Sequence, residues 1–496
     1  MTSSAEPLGT FDDRQRAFAK DHPDLEVLTP ERGTLVILPS LTVPVDELRK
    51  LVGMHHYEER LLFYLLALRH PELRVVYLSS LPIEPAIIDY YLGLLPDLSG
   101  ARERLALITI ADSRPLPLTE KLLQHPEVIK RLQALTLEPR DSWLLPFVVT
   151  DREQRLAELL GLPLYGPRPE LAALGSKSGS RHVAAEAGVP IPDGAEDLWS
   201  LDEVEHALDC LRARIAPRTS VVVKLNDSFS GLGNAIVDVG LTRAPIRTLP
   251  TTFAAAGESW PTYAAKIAAR GAVVEELIAT PGTRSPSVLV QITPGGSARI
   301  AGTHEQLLGG PGEQVYLGCR SPAAREYRNP IQGCAEQVAK ALAARGVVGL
   351  FGIDFLVEPA RNGGCRVLLG EINLRLGGTT HPLGVALLAT GATYDRATGT
   401  LMVSDRRPKA YIATDNIASR RLVGRVPAEV ITCINRHGLG FRPSEGTGVV
   451  LHMLGALPLF GKLGFTCIGD TPEEATALYE RTLDTLDVRP KGTNPT

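Results

Sequence analysis

Two periods of apolar and polar residues alternate along the first third of the chain. Short apolar runs, TLVILPS from Thr34, RVVYLSS from Arg74 and LALITI from Leu105, have the length and composition of strands. Between them, VDELRKLVGMHHYEERLLFYLLALRH and EPAIIDYYLGLL have the spacing of helices. Strand–helix alternation predicts a parallel sheet covered by helices. No G-x-G-x-x-G occurs there, so no dinucleotide site is read. A second unit begins near Gly166, after the turn-rich GLPLYGPRP. It mixes a helix, SKSGSRHVAAEAG, with strands SVVVKL, AVVEELI and SVLVQI. A last unit, from about Gly391, ends in the helix TPEEATALYERTLDTL.

The densest information lies in residues 350–378, LFGIDFLVEPARNGGCRVLLGEINLRLGG. Asp354 is the only charge in its apolar run, and a carboxylate is costly to bury unpaired. Glu371, Asn373 and Arg375 alternate with apolar residues, so on a strand they share one face. Between the two runs lies Asn362-Gly363, a strong hairpin-turn dipeptide. A two-residue turn there places Asp354 directly opposite Glu371. Facing carboxylates repel each other, and a divalent cation between them removes the repulsion. Oxygen ligands from Asp, Glu and Asn suit magnesium. The plainer alternative is an acidic pair bridged by an arginine such as Arg375.

Composition sharpens the reading of two lysines. The chain has 11 lysines against 41 arginines, so arginine supplies its generic surface charge. Lys224 ends the apolar run SVVVK and can reach a phosphate as a point charge. The Ser/Gly-rich loop that follows, with Ser228, Ser230, Gly231 and Gly233, offers backbone N–H groups that can fold over phosphates. Lys177, just before a helix, is a second phosphate candidate; the plain reading is a solvated loop lysine. Glu275 and Glu276 end an apolar strand, where a hinge could meet an adenine edge; a pair of edge-strand acids is the alternative. No Walker motif is present.

A net charge of −4 gives no basic face for nucleic acid. No apolar run approaches the roughly 18 residues of a membrane span. The polar, acidic start is unlike a secretory signal, and the six scattered cysteines form no CxxC pair, so a reducing cytoplasm is expected.

Together these residues resemble the ATP-grasp superfamily: a lysine, GVPIPDG, a strand lysine with a glycine-rich loop, an acidic hinge, then Asp and Glu-x-Asn. HYEER, THEQLLGG, VYLGC and TGVVLHMLGALPLFGKLGFTCIGD are similar to the pheganomycin-type peptide ligases. The resemblance implies an α+β ATP-grasp fold preceded by a Rossmann-like α/β domain, divided as 1–165, 166–388 and 389–496. It implies that Lys177 and Lys224 hold phosphates, and that Glu275, Glu276 and the backbone through Ile278 hold adenine. Asp354, Glu371 and Asn373 would bind two magnesium ions, with Arg375 at the transferred phosphoryl. The implied reaction joins an amino-acid-like carboxylate donor to an amine or peptide acceptor at the expense of ATP. A kinase-like phosphotransferase and a non-catalytic nucleotide scaffold are the alternatives. The ribose-binding acid that many of these enzymes place after the hinge is absent; that stretch reads ATPGTRSPS, with Arg284.

Arg320 is the candidate clamp for the donor carboxylate. His304, Glu305 and Gln306 are candidates to face substrate, and Lys462, between glycines, to reach the site from a closing loop. The HHYEER stretch reads as a polar interdomain face with helix charge pairs. A homodimer is the one assembly kept open.

Overall fold

The computed structural model describes residues 9–488, except 50, 137, 215–219, 229–232, 241–243, 279–280, 310–314 and 361–363. The first sheet is parallel, in the order β3-β2-β1-β4, with β1 Arg32–Leu38, β2 Glu72–Ser79, β3 Leu105–Thr109 and β4 Ser142–Pro146. Inner strands covered on both faces read as continuous apolar runs, and β1 is buried from Thr34 onward. The first three strands are those the sequence predicts. The fourth, SWLLP, went unread because it is short and ends in proline, which weakens a strand assignment.

The single helix expected from Val45 is instead two pieces. A one-turn α-helix, Val45–Leu48, is separated from a 3-10 helix, Met54–Arg69, by Gly53 at φ 72°, a conformation glycine adopts without steric cost. The apolar part of the 3-10 helix is buried all round. On one side it meets the helix Thr380–Thr390, where a Cβ on Gly384 would lie 2.1 Å from Phe63 Cε2. The largest apolar core joins this helix to the first sheet and to the last strands of the chain. Tyr57 and Arg60 are thereby fixed against the C-terminal segment.

The second sheet is antiparallel, β5-β9-β6-β7-β8, from β5 Gly194–Leu198, β6 Val221–Leu225, β7 Asn234–Val237, β8 Thr251–Phe253 and β9 Ala272–Glu276. The third runs β14-β13-β10-β11-β12-β17-β16-β15. Its strands are β10 Pro286–Ile292, β11 Ala298–Gly309, β12 Val315–Ser321, β13 Gly349–Pro359, β14 Cys365–Asn373, β15 Thr393–Asp395, β16 Thr400–Met402 and β17 Pro408–Ala418. Two more, β18 Gly448–His452 and β19 Lys462–Gly469, join it through β17. Strands from both sides of residue 389 thus share one hydrogen-bonded sheet, with Arg320 of β12 opposite Ile412 of β17. Among the described residues, no helix is long and apolar enough to cross a membrane.

Candidate active site

The hairpin β13–β14 places Asp354 opposite Glu371, as the sequence predicts, but by a different route. Near its tip the ladder pairs Pro359 with Cys365 and Phe355 with Leu369, one residue out of step with the Asp354–Glu371 pairing. A bulge at Gly370 restores the step. Bulges re-aim side chains beside functional sites. The expected turn, Asn362-Gly363, lies outside the described residues.

Asn373 ties the two carboxylates together: its Nδ2 donates to Asp354 Oδ2 and to Glu371 Oε1, each at 3.0 Å. Arg375 Nη2 donates to Asn373 Oδ1 at 3.1 Å. Lys177 pairs with Glu371 on its other oxygen. Burial and the nearby Glu371 charge push the Asp354 carboxyl well above the usual carboxylate range. Burial opposes the Glu371 charge as well, but the Lys177 ammonium outweighs it and holds that carboxyl low. Lys177 thus compensates the Glu371 charge, while the Asp354 carboxylate stays disfavoured, a penalty that a further cation beside it would relieve. Among the described residues there is no cluster of three or more His, Cys, Asp or Glu, so a metal here would rest on two carboxylates and an amide.

Local sequence explains why Lys177 and Lys224 converge. Lys177 opens the helix Lys177–Ala187, capped by Ser176, whose Oγ accepts from Gly179 N at 3.0 Å. A Cβ on Gly179 would meet Ala173 O at 2.0 Å, so the tight entry requires glycine. Asn226, just past β6, accepts from Ser178 N and Oγ at 3.0 and 2.9 Å. Ile372 N of β14 donates to Ser180 Oγ at 2.9 Å. One helix start is thus stitched to both β6 and the carboxylate strand. Asn226 carried no sequence signal beyond its place after Lys224.

Lys224 Nζ lies 2.6 Å from Glu275 Oε2, and Arg181 Nη1 donates to Glu275 Oε1 at 2.9 Å. Burial disfavours the Glu275 charge, yet the two cations hold its carboxyl below the ordinary range. Glu275 therefore faces Lys224 and Arg181 rather than open space. Glu276 turns to the preceding loop, accepting from Asp193 N at 3.2 Å. The ends of the serine–glycine loop touch: a Cβ on Gly233 would lie 2.3 Å from Ser228 Cβ. Ser230 and Gly231 lie outside the described residues.

A cleft of about 890 Å³ gathers most of this chemistry. Lys177, Lys224, Ile278, Asp354, Glu371, Asn373 and Arg375 line it, and so do Arg284, Glu305 and Gln306. Glu275, Glu276, Ser228 and Gly233 do not. Neither does Arg320: its segment is a strand, and the side chain is exposed, in register with Glu305. His304 is fully buried, with Nε2 2.6 Å from Tyr411 Oη, and burial depresses it to about 3. Lys462 sits behind the cleft, its Nζ donating to Tyr57 Oη at 2.6 Å. Tyr57, Arg60, Asp415 and Asn416 line the cleft and were not read as site residues. For Asp415 the signal existed: it is a lone acid in the apolar stretch AYIATDNIA, the cue that singled out Asp354.

Fold and site together define a ligase of the ATP-grasp class, which forms carbon–nitrogen bonds with ATP. The chain is 30% identical over 477 residues to the L-propargylglycine–L-glutamate ligase of Streptantibioticus cattleyicolor, covering 92% of this chain and 95% of that one. It belongs to the same family of ATP-grasp ligases. Residues 429–482 match the PGM1 C-terminal domain family. Among solved structures, the Hydrogenobacter thermophilus biotin carboxylase domain of 2-oxoglutarate carboxylase superposes with a TM-score of 0.57 at 14% identity, over 92% of this chain and 90% of that one. Biotin carboxylase of Campylobacter jejuni gives 0.56 at 16% identity, over 93% and 92%. These structures share the fold.

Proposed function

We propose that the protein joins an amino-acid-like carboxylate to the amine of an amino acid or peptide through an acyl phosphate, releasing ADP and phosphate. The observation that carries this reading is the facing pair Asp354–Glu371, bridged by Asn373, with Lys177 on one side and Arg375 on the other, in one cleft. Lys177 and Lys224 hold the phosphates, and the backbone at Ile278 meets the adenine. Asp354, Glu371 and Asn373 would hold magnesium, as two ions. Magnesium supplies charge neutralisation on the phosphates. Arg375 stabilises the charge that develops on the transferred phosphoryl. A donor oxygen attacks the γ-phosphorus and ADP leaves. The amine nitrogen then attacks the acyl carbon, and phosphate leaves with that oxygen. Water must be kept from the cleft during the reaction, because acyl phosphates hydrolyse.

The relative's name specifies two amino acids, which favours amino-acid substrates here; we further assign the reaction to peptide natural-product assembly. We also read the chain as a cytoplasmic enzyme, as a homodimer, and as three units: 1–165, 166–388 and 389–496. Assaying nucleotide products with and without added amine tests the reading. ADP that rises with the amine, together with an amide product, supports it. AMP in step with amide would place the chemistry at the α-phosphate. A stable phosphorylated product with no amide, for any amine, would make the enzyme a kinase.

Lys224→Ala is expected to weaken ATP binding by about 10- to 100-fold, the loss of one charge-assisted phosphate contact. Glu275 keeps Arg181 as a partner in that variant, so the sheet stays folded. Calorimetric titration with ATP checks this; unchanged affinity would remove Lys224 from the phosphate site.

A further inference from the structure

The cleft carries a second charged group that the metal hairpin does not use. Arg60, on the 3-10 helix, forms an ion pair with Asp415, although they are 355 positions apart. Both side chains are largely buried, 14% and 6% exposed, yet both residues line the cleft. Arg60 stacks on the Tyr57 ring, 4.4 Å from its centroid. Lys462 Nζ lies 4.7 Å from the same centroid and holds the Tyr57 hydroxyl. Among the described residues, Arg60 Nε has no hydrogen-bond partner.

Asp415 owes its direction to a break in the sheet. In the β17–β19 ladder, Thr414 pairs with Phe465 and Ile417 with Leu463, so Asp415 and Asn416 share the place of one residue. Thr414 fixes the bulge: its Oγ1 donates to Leu317 O at 2.8 Å and accepts from Asn416 N at 3.2 Å. His452 Nε2 lies 3.1 Å from Thr414 O beneath it. The bulge turns an acid and an amide into the cleft, as the Gly370 bulge sets Glu371 opposite Asp354.

A desolvated ion pair contributes little to stability over an apolar pair of the same size. Its use here is chemical. A guanidinium beside a carboxylate on a cleft wall complements a carboxylate beside an ammonium, the head group of an α-amino acid. Arginine's planar fork matches a carboxylate in two parallel hydrogen bonds, and aspartate takes an ammonium. We propose that Arg60 and Asp415 form the subsite for one zwitterionic amino-acid substrate, Arg60 holding its α-carboxylate and Asp415 its α-ammonium. Tyr57 and Lys462 are positioning residues that hold the guanidinium in place. The proposal rests on the ligase reading above and adds where one substrate binds.

The test is steady-state kinetics on the full chain with ATP and magnesium. The probes are the proteinogenic L-amino acids and L-propargylglycine, taken in pairs, and the pair giving the fastest ADP release is kept. In Arg60→Met and Asp415→Asn, KM for one member of the pair rises by about 10- to 100-fold, the size of a lost charge-assisted contact. KM for ATP and for the other member stays within about threefold. Where the affected amino acid is the acceptor, its α-amide, poor with the parent enzyme, becomes as good as the acid in Arg60→Met. The double variant Arg60→Met/Asp415→Leu removes both charges together, leaves no buried charge alone, and shows the same KM rise in a folded protein. If all KM values stay unchanged, or ATP and both amino acids weaken in step with a falling melting temperature, the pair is a structural latch and the proposal fails. If the parent chain releases no ADP with any pair, the ligase reading fails and the subsite with it.

Discussion

Exchanging Asp354 for asparagine or Glu371 for glutamine is expected to lower turnover by at least about 100-fold, with the chain still folded. Each substitution keeps the shape and removes one charge. The two carboxylates face each other across β13 and β14 and are already tied by Asn373. An amide at either position can still meet the Asn373 side chain, so the hairpin keeps its geometry. Asparagine at 354 also removes a repulsion, because burial and the Glu371 charge both disfavour the Asp354 carboxylate. That variant should be at least as stable to heat as the parent. On the proposed reading, what is lost is a negative charge that would hold magnesium against the triphosphate, and preorganised electrostatic groups are worth about two to three orders of magnitude each. Rates measured across a range of magnesium concentrations check this. Near-normal rates in both variants at every concentration would contradict the metal assignment.

The largest effect on stability is expected at Glu275. It is buried, with Lys224 on one oxygen and Arg181 on the other. Glu275→Ala should cost about 3 kcal/mol in unfolding free energy, the usual scale for removing one partner of a buried ion pair. Arg181 retains Glu196, at 2.7 Å, and Pro192 O, at 3.0 Å, which keeps the loss from being larger. Lys224 loses the carboxylate 2.6 Å from its Nζ, so ATP affinity should fall together with stability. Glu275→Gln, which keeps the acceptor oxygen, should lose less of both. Denaturant unfolding and ATP titration of the two variants check this. A loss below about 1 kcal/mol in Glu275→Ala would mean that the network does not set Lys224.

The contrast between these two sites shows what the sequence could carry. Asp354, Glu371, Asn373 and Arg375 were legible because strand alternation and a lone acid in an apolar run are local signals. The bulge at Gly370 was not legible, since the one-residue offset between the Pro359–Cys365 and Asp354–Glu371 pairings leaves no local mark in the sequence. Glu275 was read as an adenine contact because its strand ends in two acids. Its real neighbours, Arg181 and Lys224, come from a helix and a strand elsewhere in the chain. Arg60 and Asp415 are the extreme case: Arg60 reads as one of several helix charge pairs, and Asp415, although a lone acid like Asp354, has no local sign of its partner. Only the packing of the 3-10 helix against the last strands brings them together. Of the sheets, the apolar strands β1, β2, β3, β6, β9 and β10 and the β13–β14 hairpin were readable, because covered strands are apolar runs; the strands after residue 389 were not. The 3-10 helix was misread as part of one longer helix, since its apolar side is continuous and Gly53 alone marks the break.

In the proposed reaction a donor carboxylate takes the terminal phosphoryl group before an amine displaces it. The direct measurement uses donor labelled with ¹⁸O in its carboxylate, ATP and the acceptor amine. Mass spectrometry then follows the released phosphate. An acyl phosphate requires the attacking carboxylate oxygen to leave with phosphorus, so the account predicts one ¹⁸O in the phosphate for each amide formed, with ADP as the nucleotide product. Unlabelled phosphate, or ¹⁸O appearing in AMP, would contradict it.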